Sequence, residues 1–206
     1  MYNCDQKDII RLDADFDEEF DSSLIELIST CKRIYFLDQK GFGIKAQPSN
    51  SKFNKQVDIL PDDITHIKFG FSFNQRVDNL PFRLEWLEFG YSFNQSVDML
   101  PNKITYLVFG YSFNKPVFDL PNSIEYISFG KKFNYPIDSL PNSIFYINIG
   151  STEIDYYYNG VYHFTEFNQH TYKLPLKLNN IVLCLKNVKY PIKNNFISKL
   201  NKMLIK

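Results

Sequence analysis

The sequence predicts a repeat solenoid whose parallel β-sheet takes one strand from each repeat. Three observations carry this prediction: Leu-Pro recurs every twenty residues, Phe-Asn recurs with the same period, and a short apolar segment follows each Leu-Pro. A fixed period of about 20 to 29 residues indicates a chain that coils, because each unit then occupies the same place in a stack. The Leu-Pro pairs begin at Leu60, Leu80, Leu100, Leu120 and Leu140.

Each repeat contains one segment with the spacing of a half-buried strand. The five segments are ITHIKF, LEWLEF, ITYLVF, IEYISF and IFYINI, beginning at residues 64, 84, 104, 124 and 144. Their first, fourth and sixth positions are apolar, so Ile67 and Phe69 should face the core while His66 and Lys68 face outward. This spacing is typical of a leucine-rich-repeat-like solenoid, in which the sheet forms the concave face.

Weaker copies extend the array to about seven strands within one domain, residues 1–206. CKRIYF precedes the regular repeats and NNIVLCL follows them, so the repeats span residues 31–192. Twenty residues cannot hold a strand, two turns and a full helix, and we therefore expect an extended or short-turn convex side. A Gly follows each regular strand, where we expect a backbone conformation that is closed to other residues.

The ends of a solenoid need cover, and both ends of this chain predict a helical cap. Residues 1–30 hold nine acidic and two basic residues, whereas residues 173–206 hold eight lysines and no acid. The acidic cap would occupy residues 1–30 and the basic cap residues 193–206, unless the basic helix lies on a membrane surface instead. The apolar positions with helical spacing are Phe16, Phe20, Leu24, Leu27 and Cys31, and Phe196, Ile197, Leu200, Met203 and Leu204.

Composition excludes several classes of function. The formal net charge is zero, which argues against a general nucleic-acid binder. The first residues have no signal-peptide pattern, and no apolar run is long enough to cross a bilayer. Three cysteines without paired spacing fit a reducing compartment, where Cys31 and Cys184 would be small buried hydrophobes. We therefore expect a cytoplasmic protein without a membrane partner.

No sequence motif indicates catalysis. The chain contains no P-loop, GxGxxG, HExxH, CxxC or GxSxG. His163, His170 and Cys184 lack the paired spacing of a metal site. The sequence thus predicts a protein that is not an enzyme and has no metal and no cofactor.

Two stretches, LPNSIEYISFGKKFNYPI (120–137) and YSFNKPV (111–117), resemble the FNIP repeat. This is a leucine-rich-repeat relative of social amoebae and of large DNA viruses that infect amoebae. The resemblance covers residues 53–150 strongly and 31–192 loosely. It departs from the family where Gln56, Arg76 and Ser96 replace the motif's Pro, and the units are slightly shorter than usual. The resemblance implies a non-catalytic protein-interaction module, and some relatives are similar to adaptors with an F-box-like segment.

Outward positions that repeat in sequence should become rows on the surface. Aromatic side chains with polar tips are enriched in interface cores, so we interpret the aromatics of two such rows as partner-binding; the alternative is that they only stack along the sheet. The strand row reads Arg33, His66, Trp86, Tyr106, Tyr126, Tyr146 and Asn180. The row just past the glycines reads Phe71, Tyr91, Tyr111 and Lys131.

A third row consists of asparagines, whose amides are suited to bonding loop backbone within and between coils. We interpret it as a structural ladder of Asn54, Asn74, Asn94, Asn114, Asn134 and Asn168.

Two insertions, at 37–52 and 151–166, break the period at one register, between a strand and the next Phe-Asn. Insertions at one register fall on one side of a solenoid, so both should flank the aromatic rows. The second brings Tyr156, Tyr157 and Tyr158 to the binding surface. The alternative for each insertion is a tolerated surface loop.

Taken together, these features predict a non-catalytic scaffold that binds a protein partner through its concave aromatic face. Two alternatives remain. One is a substrate-recruiting adaptor of a ubiquitin ligase, which the resemblance suggests. The other is a structural protein that associates weakly head to tail through its oppositely charged ends. The expected location is the cytoplasm, or the host cytoplasm if the protein is viral.

Overall fold

The computed structural model describes residues 8–40, 47–48, 50–150 and 180–183 of the chain. Its main feature is a parallel sheet of eight strands in chain order, beside a two-stranded antiparallel ribbon formed by the third and fourth strands of the chain. The elements are β1 (Ile9–Leu12), α1 (Ser22–Ser29), β2 (Arg33–Phe36), β3 (Gln39–Lys40), β4 (Gln47–Pro48), β5 (His66–Lys68), β6 (Trp86–Glu88), β7 (Tyr106–Val108), β8 (Tyr126–Phe129), β9 (Tyr146–Ile149) and β10 (Asn180–Leu183).

Each strand of the large sheet pairs in parallel with the next one along the chain. The Cα partner of His66 is Trp86, and the partner of Trp86 is Tyr106, a step of twenty residues each time. One repeat therefore makes one coil, and the same position in successive repeats becomes a neighbour in space. The predicted sequential parallel sheet is confirmed, with all seven predicted strands in order and one additional strand.

The core is built from two columns of phenylalanine that run along the solenoid. One column follows the strands and the other the Phe-Asn positions, and rings of the same coil stack at 3.7–3.9 Å between centroids in the four coils from Phe69 to Phe133. All of these side chains are at most 1 % exposed. The columns are Phe36, Phe69, Phe89, Phe109 and Phe129, and Phe53, Phe73, Phe93, Phe113 and Phe133.

The asparagine row links consecutive coils. The side-chain oxygen of Asn54 accepts a hydrogen bond from the backbone N–H of Asn74 at 2.8 Å, and the same bond recurs from Asn94, Asn114 and Asn134 at 2.8–2.9 Å. Each amide thus satisfies a loop N–H that the sheet does not reach. Asn168, the last predicted member, lies outside the described residues.

Four of the five glycines that follow the regular strands have a different role from the predicted one, and the prediction holds for Gly150. Among the described glycines only Gly150 has a positive φ, of 96°. At Gly110 a Cβ atom would lie 2.1 Å from the carbonyl oxygen of Gly90, and at Gly90 it would lie 2.0 Å from that of Gly70. Successive coils approach too closely here for any side chain, so close packing between coils explains these glycines and the predicted special conformation is wrong for them.

The N-terminal segment is a further coil, and the predicted helical cap over residues 1–30 is not confirmed. Residues 9–12 form β1, which pairs with β2, and the helix covers only residues 22–29. Asp21 caps that helix by accepting from the N–H of Leu24 at 2.8 Å. Phe16 and Phe20 lie in the preceding loop, and both rings lie 5.5 Å from Phe53. Burial in the core, and not a helical face, explains their spacing.

The first insertion begins with the β3-β4 ribbon. Its base is closed by Asp38, whose carboxylate accepts from the backbone N–H groups of Ser51 and Phe71, each at 2.8 Å. The insertion therefore starts beside the Phe71 end of the second aromatic row. The second insertion, with its tyrosines, and the predicted basic cap lie outside the described residues.

Cys31 departs from the expectation of reduced cysteines. It is 1 % exposed, as predicted, but it is disulfide-bonded. Within the described part of the chain, no helix has the length and apolar character needed to cross a membrane.

Candidate functional site

The outward-facing strand positions form a continuous row across the sheet. We call His66, Trp86, Tyr106, Tyr126 and Tyr146 the outer row. Its members are consecutive Cα partners, and each is half-buried. At one end the row continues to Arg33, which pairs with His66, and at the other to Asn180, which pairs with Tyr146.

Three tyrosines of the outer row form a parallel stack. The Tyr106 and Tyr126 rings are 4.3 Å apart at 10°, and the Tyr126 and Tyr146 rings are 4.6 Å apart at 6°. The ring spacing follows the spacing of the strands, which is about 4.8 Å in any sheet. Since each ring covers the face of its neighbour, the row presents ring edges to solvent.

Trp86 interrupts this stack. Its indole meets the Tyr106 ring at 71° with 4.9 Å between centroids, and it meets the His66 ring at 63° and 5.4 Å. The indole N–H is buried and has no hydrogen-bond acceptor among the described residues. Trp86 is the one tryptophan of the chain, and its turned ring divides the outer row into a stacked half and an edge-to-face half.

A second aromatic row runs beside the first. The Phe71, Tyr91 and Tyr111 rings are parallel, with 4.6 Å between neighbouring centroids. The ammonium groups of Lys131 and Lys132 lie 5.9 and 5.6 Å from the centre of the Tyr111 ring, within the range of a cation–π contact. We call the outer row and this second row together the aromatic face.

The strand positions between the two aromatic rows change character along the sheet. Lys68 and Glu88 form an ion pair at 2.7 Å, and Val108, which follows, is only 7 % exposed. Next comes Ser128, 2 % exposed, whose hydroxyl accepts from the side-chain amide of Asn148 at 3.0 Å. The positions between the rows therefore carry partly exposed charge at the β5 end, whereas at the β7 and β8 end they are neutral and buried.

His66 is the first member of the outer row and lies beside Arg33. Its Nδ1 lies 2.8 Å from the hydroxyl of Thr65, which fixes the orientation of the imidazole. Burial lowers the pKa of His66 below its usual 6.5, the positive charge of Arg33 lowers this pKa further, and Glu85 opposes the shift. His66 is therefore mostly neutral near pH 7.

The structure brings together most of the residues that the sequence singled out for binding. The five members of the outer row lie on one side of the sheet, and Phe71, Tyr91 and Tyr111 lie in the turns just past it, in the predicted order. Their role in binding is still a prediction. Tyr156, Tyr157 and Tyr158 lie outside the described residues. Sequence reasoning did not anticipate the turned ring of Trp86 or the ion pair between the rows, because side-chain geometry leaves no trace in the repeat pattern.

The site offers no arrangement of groups for metal chemistry. Over the described ranges, no cluster of three or more His, Cys, Asp or Glu side chains could hold a metal ion. The aromatic face is an open surface rather than a cleft, and open aromatic surfaces are suited to contacts with another macromolecule.

Comparisons with known proteins agree with this architecture. The model of the FNIP Repeat family matches residues 53–92, 93–117 and 117–152. Among solved structures, the chain is similar to CroV588 of the giant virus CroV, described as a novel circular LRR protein, with a TM-score of 0.63 and 26 % identity. The match covers 85 % of this chain and 23 % of CroV588, so this chain spans only about a quarter of that protein.

No curated protein matches the chain. The three consecutive family matches coincide with the coils whose phenylalanine columns, asparagine ladder and glycine contacts repeat every twenty residues. Residues 53–152 therefore consist of FNIP repeats, and the chain has a leucine-rich-repeat-like solenoid fold.

Proposed function

We propose that the protein is a non-catalytic scaffold that binds a protein partner through the aromatic face. The observation that carries this proposal is the pair of adjacent aromatic rows, one on the outward side of the sheet and one in the turns just past it, whose rings are half-buried. Tyrosine and tryptophan dominate the binding energy of protein interfaces, because their large rings are apolar and lose little conformational entropy when bound. Repeat solenoids are typically not enzymes, which is consistent with a scaffold.

The alternative explanation is that the rings only stabilise the sheet. Stacked pairs contribute about 0.5–1.5 kcal/mol each beyond burial, so stacking alone would justify the rows energetically. The two explanations differ in what happens when the rings are removed. Loss of stacking lowers stability slightly, whereas loss of a binding surface abolishes capture of a partner.

The test replaces three rings of the outer row together, Trp86→Ala, Tyr106→Ala and Tyr126→Ala. The immobilised variant should retain at least tenfold less of the partner that the parent protein captures from an amoebal lysate, identified by mass spectrometry. Circular dichroism should show an unchanged strand signal. Equal capture by the variant would reject the proposal.

A matched control removes equally apolar surface elsewhere. Phe82, Met99 and Phe118 are 52, 67 and 56 % exposed and lie in turns outside the sheet. Alanine at these three positions should leave capture unchanged. If this control loses capture as well, the effect does not belong to the aromatic face.

A second candidate is head-to-tail assembly. It is favoured by the similarity to a quarter of a circular LRR protein and by the opposite charges of the two ends of the sequence. Several copies joined end to end could then form a longer solenoid, as a single long chain does in the circular LRR protein. Light scattering at about 0.01 M salt should detect assembly that disappears above about 0.1 M, where charges are screened within about 10 Å. A monomer at both salt concentrations would exclude it.

The adaptor of a ubiquitin ligase is still a prediction from the resemblance alone. Deleting residues 1–30 would not test it cleanly, since Ile10 and Leu12 of β1 are fully buried in the core. Charge reversal of Glu18 and Glu19 should leave the coil intact, because both side chains are exposed. A ligase linker protein that binds the parent and not this variant would support the adaptor function.

A further inference from the structure

We propose that Arg33 is the anion-binding end of the aromatic face and receives a carboxylate of the partner, while an apolar side chain of the same partner segment packs on Trp86. This inference rests on the proposed function and specifies the chemistry of the partner. It follows from the position of Arg33, from the fact that no acidic side chain among the described residues pairs with it, and from the distance between the two anchor points.

Arg33 differs from the other described arginines and lysines of the neighbouring coils. Lys68 pairs with Glu88, Lys32 with Asp63 at 3.7 Å, and both Arg76 and Arg83 pair with aspartates. In the part of the chain that the structure describes, no ion pair joins the guanidinium of Arg33 to an acidic side chain, although Arg33 is half-buried. A guanidinium that has lost part of its hydration gains most from a carboxylate, which it can bind with two parallel hydrogen bonds.

The surroundings of Arg33 are consistent with a carboxylate as the bound anion. His66 lies on the adjacent strand and is mostly neutral near pH 7, since burial and Arg33 itself lower its pKa. Glu85 directly precedes β6, the strand that pairs with β5 on the side away from Arg33. On the His66 side of Arg33 the guanidinium is therefore the main positive charge, and a carboxylate, which carries one negative charge, is an anion that it can bind with two parallel hydrogen bonds.

The spacing of the strands predicts the spacing within the partner. Arg33 and Trp86 are separated by two strand steps, through His66, which amounts to about 10 Å. A polyproline II segment rises about 3.1 Å per residue and brings residues i and i+3 to the same side, about 9 Å apart. We therefore expect an extended segment with Asp or Glu three residues from an aromatic or aliphatic residue.

The experiment selects binders from a phage-displayed library of random twelve-residue peptides on the full chain. The parent protein should enrich peptides in which an acidic residue stands three positions from an apolar one. Arg33→Gln should lose the acidic preference, and the affinity of a recovered peptide should fall at least tenfold. The control Arg83→Gln removes an arginine that lies in a turn and should select the same peptides as the parent.

The outcomes separate this inference from the proposed function. Enriched apolar peptides without an acidic preference, or the same acidic peptides on Arg33→Gln, would overturn the role of Arg33 and leave binding by the aromatic face standing. Acidic peptides that also bind the triple alanine variant of Trp86, Tyr106 and Tyr126 would overturn the proposed function itself. If no peptide is enriched on the parent, the inference of an extended acidic partner is wrong.

Discussion

The interior phenylalanine columns and the outer row arise from the same repeat, yet their rings differ in spacing and in burial. Interior rings of adjacent coils are 5.5–6.2 Å apart, whereas the outer tyrosines are 4.3–4.6 Å apart. Each regular interior ring also stacks at 3.7–3.9 Å on a ring of its own coil and is at most 1 % exposed. The outer rings have the closer neighbours along the sheet but are only half-buried. The interior rings should therefore contribute more to the free energy of unfolding than the outer rings do.

The largest expected effect is the loss of an interior ring. Phe109 is fully buried and lies 3.8 Å from Phe113, so Phe109→Ala should reduce the free energy of unfolding by about 3–5 kcal/mol. Tyr126→Ala should cost less, about 1–3 kcal/mol, because its ring is half-buried and its contribution is the stacking on Tyr106 and Tyr146. Urea denaturation measures both values. Phe109→Leu, which keeps most of the volume, should fall between them, and equal losses for Phe109→Ala and Tyr126→Ala would contradict the comparison.

A smaller loss of stability is expected when a methyl group is placed between two coils at a glycine contact. The methyl group of Gly110→Ala would meet the backbone of Gly90, which cannot rotate away, so the coils must separate locally. We expect a loss of about 1–3 kcal/mol, as for other overpacked sites. Ser112→Ala, in the same turn, adds no atom and should be nearly neutral. If Gly110→Ala also left the free energy of unfolding unchanged, the coils would be less closely packed than the structure indicates.

The smallest effect concerns the pH dependence of the outer row. The pKa of His66 is lowered in the folded protein, so the unfolded chain takes up the proton first as the pH falls through about 6.5. Stability should therefore decrease slightly below pH 6.5, and His66→Gln should remove that part of the decrease. Arg33→Gln should raise the pKa of His66, since one lowering charge is lost. Fluorescence of Trp86, in contact with the imidazole, follows this titration; an unchanged midpoint in Arg33→Gln would contradict the assigned cause.

The repeat period was enough to predict the order and register of the regular strands. A constant step of twenty residues leaves one way to align the coils, so the pairing of Trp86 with Tyr106 and of Tyr106 with Tyr126 followed directly. The first coil was harder to predict. The segment IIRL is too short to show the repeat motif, and the spacing of Phe16 and Phe20 fits a helix although both lie in a loop.

The features that the sequence did not predict depend on contacts between coils. The glycine at the end of a strand suggested a special backbone angle, whereas the actual cause is the carbonyl of the neighbouring coil. Likewise, the sequence does not indicate that the Trp86 ring lies nearly perpendicular to the neighbouring Tyr106 ring. Whether Arg33 meets an acidic side chain among the described residues also depends on where distant parts of the chain lie, and a repeat pattern carries no information about that.

The asparagine ladder has a consequence for how such a protein changes in length. Each amide reaches the coil that follows it, always twenty residues further along the chain. Duplicating or removing one whole repeat keeps every such bridge in register, whereas adding or deleting a single residue between two asparagines breaks one. Gene segments encoding twenty residues are therefore the units by which this architecture can grow or shrink without losing its internal bonding.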